Sequence, residues 1–368
     1  MNIAILGAGE IAIKMAMTLQ HLKGVNCYAV ASRDPIRAQA FADKYGFRQA
    51  YGSYLDMLND EYVDLVYIAT PHSHHYEHIK MSLEHGKHVL VEKPFTANAA
   101  QAEEVLLMAE RSGLFLAEAM WSRYMPMVDT IRDVVSSNLI GRITSLCANV
   151  GFPLENKERL RRPELAGGAL LDVGCYALHF ASMIFGDQLK SISASCTKLD
   201  TGVDAQETIM LTYTDGRMAN LFATMLSETD RRAMIYGTNG FIEIENIINF
   251  ESIRVYNLER KVIAEYAAPY QVTGYEYEVM AAMDAIRDGY TECYQLPHEV
   301  ILHMMRMMDN LRSAFGVVYP FELNPEITAT ELGEEADKEK EMQRESSVRE
   351  ISNTANNDDN PATKDDEE

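Results

Sequence analysis

Short apolar runs alternate with amphipathic stretches through the first third of the chain, the sequence form of repeated strand and helix units around a parallel sheet. Strands are predicted over residues 2–6, 25–31, 64–69, 88–91 and 115–119, with a weaker one near Gln49. Helices are predicted over 36–45, 76–85 and 99–112, closed by Gly46, Gly86 and Gly113, because glycine accepts the left-handed conformation that ends a helix. After a further helix over 127–138 the pattern changes. Strand-like runs follow at 142–150, 190–197, 207–213, 218–225, 232–236, 241–244 and 252–256, and Asp215-Gly216 marks a hairpin between two of them. Helices are expected at 174–185, 275–287 and 298–315. The last places Ile301, Met304, Met305, Met308 and Leu311 on one face, as core. The chain therefore reads as α/β. Residues 1–120 form a doubly wound parallel sheet, 121–324 an α+β domain with a largely antiparallel open sheet, and 325–368 an acidic tail.

Composition sharpens this division. A chain of 368 residues, 47% of them hydrophobic, suits two cores of ordinary size. The net charge is -22, and from Pro325 to Glu368 fifteen acidic residues face five basic ones, so the tail reads as a disordered, solvating extension. An acidic body would repel phosphates, which argues against a nucleic-acid partner. No apolar run approaches the roughly 20 residues needed to cross a bilayer, and Met1 leads directly into a strand rather than a secretory leader. The five cysteines are scattered without a C-x-x-C pair, which suggests neither zinc nor a disulfide framework and fits a reducing, cytoplasmic setting. His72, His74, His75 and His78 lack a carboxylate or cysteine partner at ligand spacing, so no metal is expected.

Chemistry enters at the strand ends. Gly7-Ala8-Gly9-Glu10-Ile11-Ala12 is a G-x-G-x-x-A between a predicted strand and a predicted helix, the setting in which this motif binds a dinucleotide in a Rossmann fold. Gly7 permits the tight turn, Gly9 lets a pyrophosphate approach the helix N-terminus, and Ala12 lets helix pack on strand. At the end of the second strand, where an NAD-binding site carries an acidic residue for the ribose, the chain reads Ser32-Arg33-Asp34-Pro35 with Arg37 following. Two arginines suit a 2'-phosphate. NADP(H) is therefore favoured, with NAD(H) as the alternative and Asp34 as its candidate ribose ligand. Glu92-Lys93-Pro94 closes another strand, at the edge where open α/β sheets hold their ligands.

Taken with Thr70-Pro71-His72, His75 and Gly168-Ala169-Leu170-Leu171-Asp172-Val173-Gly174-Cys175-Tyr176, these motifs make the chain resemble the Gfo/Idh/MocA oxidoreductases from Met1 to about Phe321. Tyr176 and the run from Glu118 to Pro126 are similar to the branch of dimeric dihydrodiol dehydrogenase and glucose-fructose oxidoreductase. The resemblance implies a cofactor site at Gly7, Gly9, Glu10, Ile11, Ser32, Arg33, Arg37, Thr70, Pro71, His72, His75, Glu92 and Lys93. It implies a hydride exchanged between the nicotinamide and a secondary alcohol or ketone of a sugar, polyol or trans-dihydrodiol. Lys93, Asp172 and Tyr176 would carry the reaction, and Trp121, Arg123, Tyr124 and Arg159, with Asp172 and Tyr176, would hold the substrate. Loss of hydride from a carbinol requires its hydroxyl proton to leave, so an acid-base group is needed. Either Lys93 or Tyr176 can supply it, the nearby ammonium favouring a Tyr176 phenolate. A homodimer or higher homo-oligomer is expected by resemblance. An NAD-dependent glycoside hydrolase or lyase of the same family, and a non-catalytic NADP(H) sensor, are the competing readings.

Overall fold

The computed structural model describes residues 1–323; the segment expected to be a tail lies outside the described residues. The first unit runs β1 (Asn2–Leu6), α1 (Glu10–Leu19), β2 (Asn26–Ala31), α2 (Pro35–Tyr45), β3 (Gln49–Tyr51), α3 (Tyr54–Leu58), β4 (Leu65–Ile68), α4 (His75–Glu84), β5 (His88–Glu92), α5 (Ala99–Ser112) and β6 (Leu116–Ala119). All its strands pair in parallel, in the order β3-β2-β1-β4-β5-β6. The order reverses between β1 and β4. The connections that leave Gly7 and Ala69 to Pro71 therefore diverge at this point and leave a crevice at the strand ends where a ligand can enter.

The second unit runs α6 (Met127–Ser136), β7 (Ile143–Gly151), α7 (Glu158–Arg161), α8 (Cys175–Phe185), then β8 (Leu189–Lys198), β9 (Asp204–Tyr213), β10 (Met218–Thr224), β11 (Ala233–Gly237), β12 (Gly240–Glu245), β13 (Ser252–Asn257) and β14 (Val262–Ala267). α9 (Glu276–Arg287), α10 (His298–Phe315) and α11 (Pro320–Leu323) close it. The eight strands follow the order β14-β13-β12-β11-β7-β10-β9-β8, antiparallel except for the β7/β10 pair. Alternation sets the two faces: Ile209, Leu211, Leu221, Ile235 and Ile242 are buried, whereas Ile192, Met210, Met218 and Tyr236 are exposed on the other side.

Four of these elements escape the sequence reading. α3 spans five residues and α7 and α11 four each, too few to show a helical period. β14 is an edge strand with nearly every residue exposed, so it carries no clean alternation. One expectation fails outright. The stretch Pro163–Phe185 is long and apolar enough by composition to cross a bilayer, yet 83% of its most apolar window is buried inside the protein. Its hydrophobicity is that of a core segment enclosed on all sides.

Candidate active site

The glycine turn is shaped for a close ligand. Gly7 adopts φ +103°, and a Cβ there would sit 2.9 Å from the Ala69 carbonyl oxygen, so only glycine lets β1 and β4 approach this closely. Gly9 caps α1 without any side-chain hydrogen bond, leaving backbone N–H groups to face an anion. Asp34, the alternative ribose ligand, is occupied as the cap of α2, where Oδ1 accepts from the Ile36 and Arg37 amides. Arg37 folds back over the turn and donates from Nε (3.1 Å) and Nη2 (2.7 Å) to the Ala8 carbonyl. Ser32 is buried and Arg33 exposed at the end of β2.

From Gly9 a cleft of about 790 Å³ runs between the two units to Tyr275. Glu10, Ile11, Thr70, Pro71, His72, Glu92, Lys93, Trp121, Arg159, Asp172 and Tyr176 all line it. A backbone cradle at one end and a deep polar floor at the other fit the two halves of a dinucleotide. On the floor, the Lys93 ammonium donates to the Asp172 backbone carbonyl at 2.6 Å and to Asp172 Oδ1 at 3.0 Å. Arg159 adds bonds of 3.2 and 3.1 Å to the same carboxylate oxygen. Burial alone would raise the Asp172 pKa, but the Lys93 and Arg159 charges hold it well below the carboxylate range. Burial likewise works against the charged Lys93, and the Asp172 carboxylate outweighs it, keeping the ammonium above its usual pKa. Burial lowers the His72 pKa. The neutral ring donates from Nδ1 to the Ala166 carbonyl (3.1 Å) and can accept at Nε2 from Arg159 (3.3 Å).

Tyr176 corrects one expectation. Lys93 Nζ lies 5.3 Å from the centre of the Tyr176 ring, a cation over a π face, and is not bonded to the hydroxyl. Burial drives the phenol pKa well above its ordinary value, so phenol and not phenolate is the resting form. The hydroxyl oxygen accepts from Trp121 Nε1 at 3.1 Å, which leaves its own hydrogen to donate.

Arg123 and Tyr124 are not brought to the cleft. Arg123 points into the second unit, donating to His179 Nδ1 (2.8 Å) and Ser182 Oγ (2.9 Å), and Tyr124 donates to the Glu118 carbonyl at 2.8 Å. The short helical turn Trp121–Tyr124 sends Trp121 one way and these two the other. His75 lies beneath the floor, fully buried, its ring between the Pro94 (2.8 Å) and Thr70 (3.0 Å) carbonyls. Burial depresses its pKa to about 3. The neutral ring has one N–H to donate to these carbonyls, and it does not face the cleft. Arg162 is buried in ion-pair contact with Glu158 and Glu164.

Sequence reasoning missed Tyr275, whose ring stacks on Trp121 at 4.5 Å and 11°. Gly274 makes room for that stack, since a Cβ there would come within 2.5 Å of the Trp121 ring. It missed the apolar wall of Phe152, Leu154 and Ile248, contributed by loops with no periodic signature. It also missed Lys157, which reaches across the cleft to Glu10 at 2.7 Å. Behind Lys93, Glu92 accepts from the Tyr67 hydroxyl, and Glu118 and Glu278 are buried close by in charge terms, burial raising all three carboxyl pKa values.

A doubly wound sheet that offers backbone to a pyrophosphate, joined to a second domain that clamps an ammonium above the cleft floor, defines a nicotinamide-dinucleotide oxidoreductase. Residues 1–119 match the model of the oxidoreductase family with an NAD-binding Rossmann fold, and residues 128–243 match the GFO/IDH/MocA C-terminal domain. The chain belongs to the Gfo/Idh/MocA family. It is 33% identical over 324 residues to a trans-1,2-dihydrobenzene-1,2-diol dehydrogenase of Xenopus tropicalis, covering 86% of this chain and 98% of that one. The enzyme of the same name from Mus musculus is 34% identical over 327 residues, covering 86% and 97%. Among solved structures, a 3-ketoreductase from Actinomadura kijaniata in complex with NADP and TDP-benzene shares the fold with a TM-score of 0.79 at 24% identity, covering 85% of this chain and 97% of that one. An aldose-aldose oxidoreductase from Caulobacter crescentus complexed with glycerol does so with a TM-score of 0.78 at 22% identity, covering 86% and 97%.

Proposed function

We propose that the protein is an NADP(H)-dependent dehydrogenase or reductase of CH–OH groups, interconverting a cyclic vicinal diol, polyol or sugar with its ketone. The observation that carries this reading is the grip of Asp172 on Lys93 at the floor of the cleft. A bound nicotinamide supplies or accepts the hydride. The residues do the rest. In the reductive direction the Lys93 ammonium, kept charged by Asp172, is placed to give a proton to the substrate oxygen. The Tyr176 hydroxyl, turned by Trp121 Nε1, donates a hydrogen bond that orients the same oxygen. The Trp121 and Tyr275 rings, with Phe152, Leu154 and Ile248, give one wall of the cleft an apolar surface that suits the carbon face of a ring. That wall, and the diol dehydrogenases among the relatives, favour a cyclic trans-diol over an open-chain polyol.

Capping of α2 by Asp34 supports NADP(H), because Oδ1 of that carboxylate is already engaged by two backbone amides. The five cysteines are all unpaired, in keeping with a cytoplasmic protein. The open face of the second sheet, with Ile192, Met210, Met218 and Tyr236, is the surface through which a homodimer would form. A panel of trans-dihydrodiols, inositols and aldoses, each offered with NADP and with NAD, tests the reading. Change at the nicotinamide absorbance band stoichiometric with product is expected for at least one cyclic diol with NADP. Product without net absorbance change would instead indicate the hydrolase or lyase reaction.

A further inference from the structure

Strand β9 breaks its own pattern. Ile209, Leu211 and Tyr213 point into the core, and Glu207 occupies the same inward register with 1% exposure. Among the described residues, neither of its carboxyl oxygens has a hydrogen-bond partner. Oε1 rests on the Gly174 backbone, where a Cβ would come within 2.4 Å of it. At the start of the strand, Asp204 is fully buried, and its Oδ2 accepts from the Leu170 amide at 2.6 Å. Its Oδ1 lies 2.4 Å from where a Gly168 Cβ would be. Two core carboxyl groups thus seat the two ends of one segment, Gly168 to Gly174. Burying them costs free energy that an aliphatic side chain would not, so their placement needs a compensating role.

The segment they seat is the wide turn that presents Asp172. Residues Leu170–Gly174 form a π-helical turn that runs into α8, and such one-residue expansions recur at functional sites. Here the turn lets Asp172 offer both its carbonyl and its carboxylate to one ammonium, at 2.6 and 3.0 Å.

We propose that Glu207 and Asp204 are positioning residues for the reaction, clamping the π-turn in the register at which Asp172 holds Lys93, with Gly168 and Gly174 as the matching surfaces. The role deepens the reading of Lys93 as the proton-transfer group and rests on it. Glu207 acts as a neutral acid, because burial pushes its pKa well above the carboxylate range. A neutral amide of the same shape can therefore take its place.

Gly174→Ala is the direct perturbation, since its methyl group collides with Glu207 Oε1 and must shift the turn. The double variant Gly174→Ala/Glu207→Asp adds that methyl and withdraws the carboxyl by one methylene, which nearly conserves volume. Four readouts are taken on the full-length chain: turnover of trans-1,2-dihydrobenzene-1,2-diol with NADP, NADPH affinity by fluorescence titration, melting temperature by calorimetry, and Lys93 reactivity at pH 9 toward an acylating reagent, mapped by peptide mass spectrometry. For Gly174→Ala, kcat should fall about 10- to 100-fold, the range that a misplacement of order 1 Å produces, with NADPH affinity and diol KM near wild type. Lys93 labelling should rise about threefold or more, the change given by half a pKa unit lost from the ammonium. Glu207→Gln should keep most activity, and the double variant should recover most of what Gly174→Ala loses. Wild-type kcat and labelling in Gly174→Ala would overturn the proposal, as would a double variant no better than the single. A kcat loss matched by loss of NADPH binding and melting temperature, with labelling unchanged, would mark a plain packing defect and overturn it too. Full turnover by Lys93→Met would sink the acid-base reading instead, and the labelling would still report on the clamp.

Discussion

Replacing Lys93 by Met isolates the ammonium, because Met retains most of the aliphatic length and loses only the charge. Two consequences can be separated. In turnover, a positioned proton donor is worth about 10²- to 10⁴-fold, which at 1.36 kcal/mol per decade is about 3–5 kcal/mol of barrier. In stability, stranding one member of a buried ion pair costs about 3–5 kcal/mol, but Asp172 keeps Arg159 at 3.1 and 3.2 Å. The loss should therefore be smaller, about 1–2 kcal/mol, or a fall in melting temperature of about 2–8 °C for domains of this size. Cofactor affinity should hold, since the pyrophosphate end is built from backbone at Gly7 and Gly9. Steady-state kinetics on a confirmed diol, NADPH titration and calorimetry measure the three quantities. Tyr176→Phe is the control: losing one orienting hydrogen bond of about 0.5–1.5 kcal/mol should slow the reaction roughly 2- to 13-fold. A Lys93→Met enzyme within tenfold of wild-type kcat/KM, or a Tyr176→Phe enzyme slower than Lys93→Met, would refute the assignment of the proton to Lys93.

Arg33→Ala combined with Arg37→Ala should narrow the preference for NADP over NAD, and tighter NAD binding by the unaltered protein in calorimetry would defeat the cofactor assignment. Arg37→Ala alone should weaken both cofactors, because Arg37 braces the Ala8 carbonyl within the glycine turn. Gly274→Ala should cost about 2–4 kcal/mol, from a left-handed backbone at φ +94° and overpacking against Trp121, with diol KM raised; unchanged chemical denaturation would contradict the packing described. The Glu118 contribution to folding stability should decline as pH rises from about 4.5 through about 7, because burial lifts the Glu118 pKa from 4.5 to about 7. A carboxyl whose folded pKa exceeds its unfolded value contributes stability below the unfolded pKa and loses it as pH rises through the folded one. His75, depressed to about 3, and His72, His78, His88 and His179, also lowered by burial, work in the opposite sense until their unfolded rings lose the proton above about pH 6.5, so the Glu118 contribution is read as the difference between wild type and variant. Glu118→Gln should flatten the decline in a series of thermal melts, and an equal slope in the variant would show that other groups cause it.

The parallel sheet was legible because its apolar runs, glycine helix ends and G-x-G-x-x-A turn all follow from local backbone physics. Lys93, Asp172 and Tyr176 were legible through motifs with fixed spacing, and the structure brings all three to one cleft. What escaped was direction. Trp121, Arg123 and Tyr124 are neighbours in sequence, but one turn of helix sends the indole to the cleft and the guanidinium to His179. Tyr275 lies more than 150 residues from Trp121, and nothing local shows that the two rings stack. The phenolate expected at Tyr176 failed for a related reason. Proximity of an ammonium was foreseen, while the burial that outweighs it depends on the whole fold.

Binary patterning carries a further signal. Glu207, Glu118 and Glu278 each stand at positions whose neighbours are apolar and inward-facing, and each is at most 1% exposed. In a strand or helix that is otherwise core, a carboxyl at such a position works against stability. Selection for packing alone would replace it, so an inward-facing acid in an apolar register marks a place where the fold gives up stability for geometry or charge. Glu118 on β6 and Glu278 on α9 share the charge neighbourhood of Glu92, and Glu207 lies under the turn that carries Asp172. Burial pushes all three toward the neutral acid, which leaves Asp172 as the carboxylate that chiefly keeps Lys93 charged. The buried acids around the site therefore act through shape and hydrogen bonding, and the charge that matters for proton transfer is carried by the Lys93–Asp172 pair.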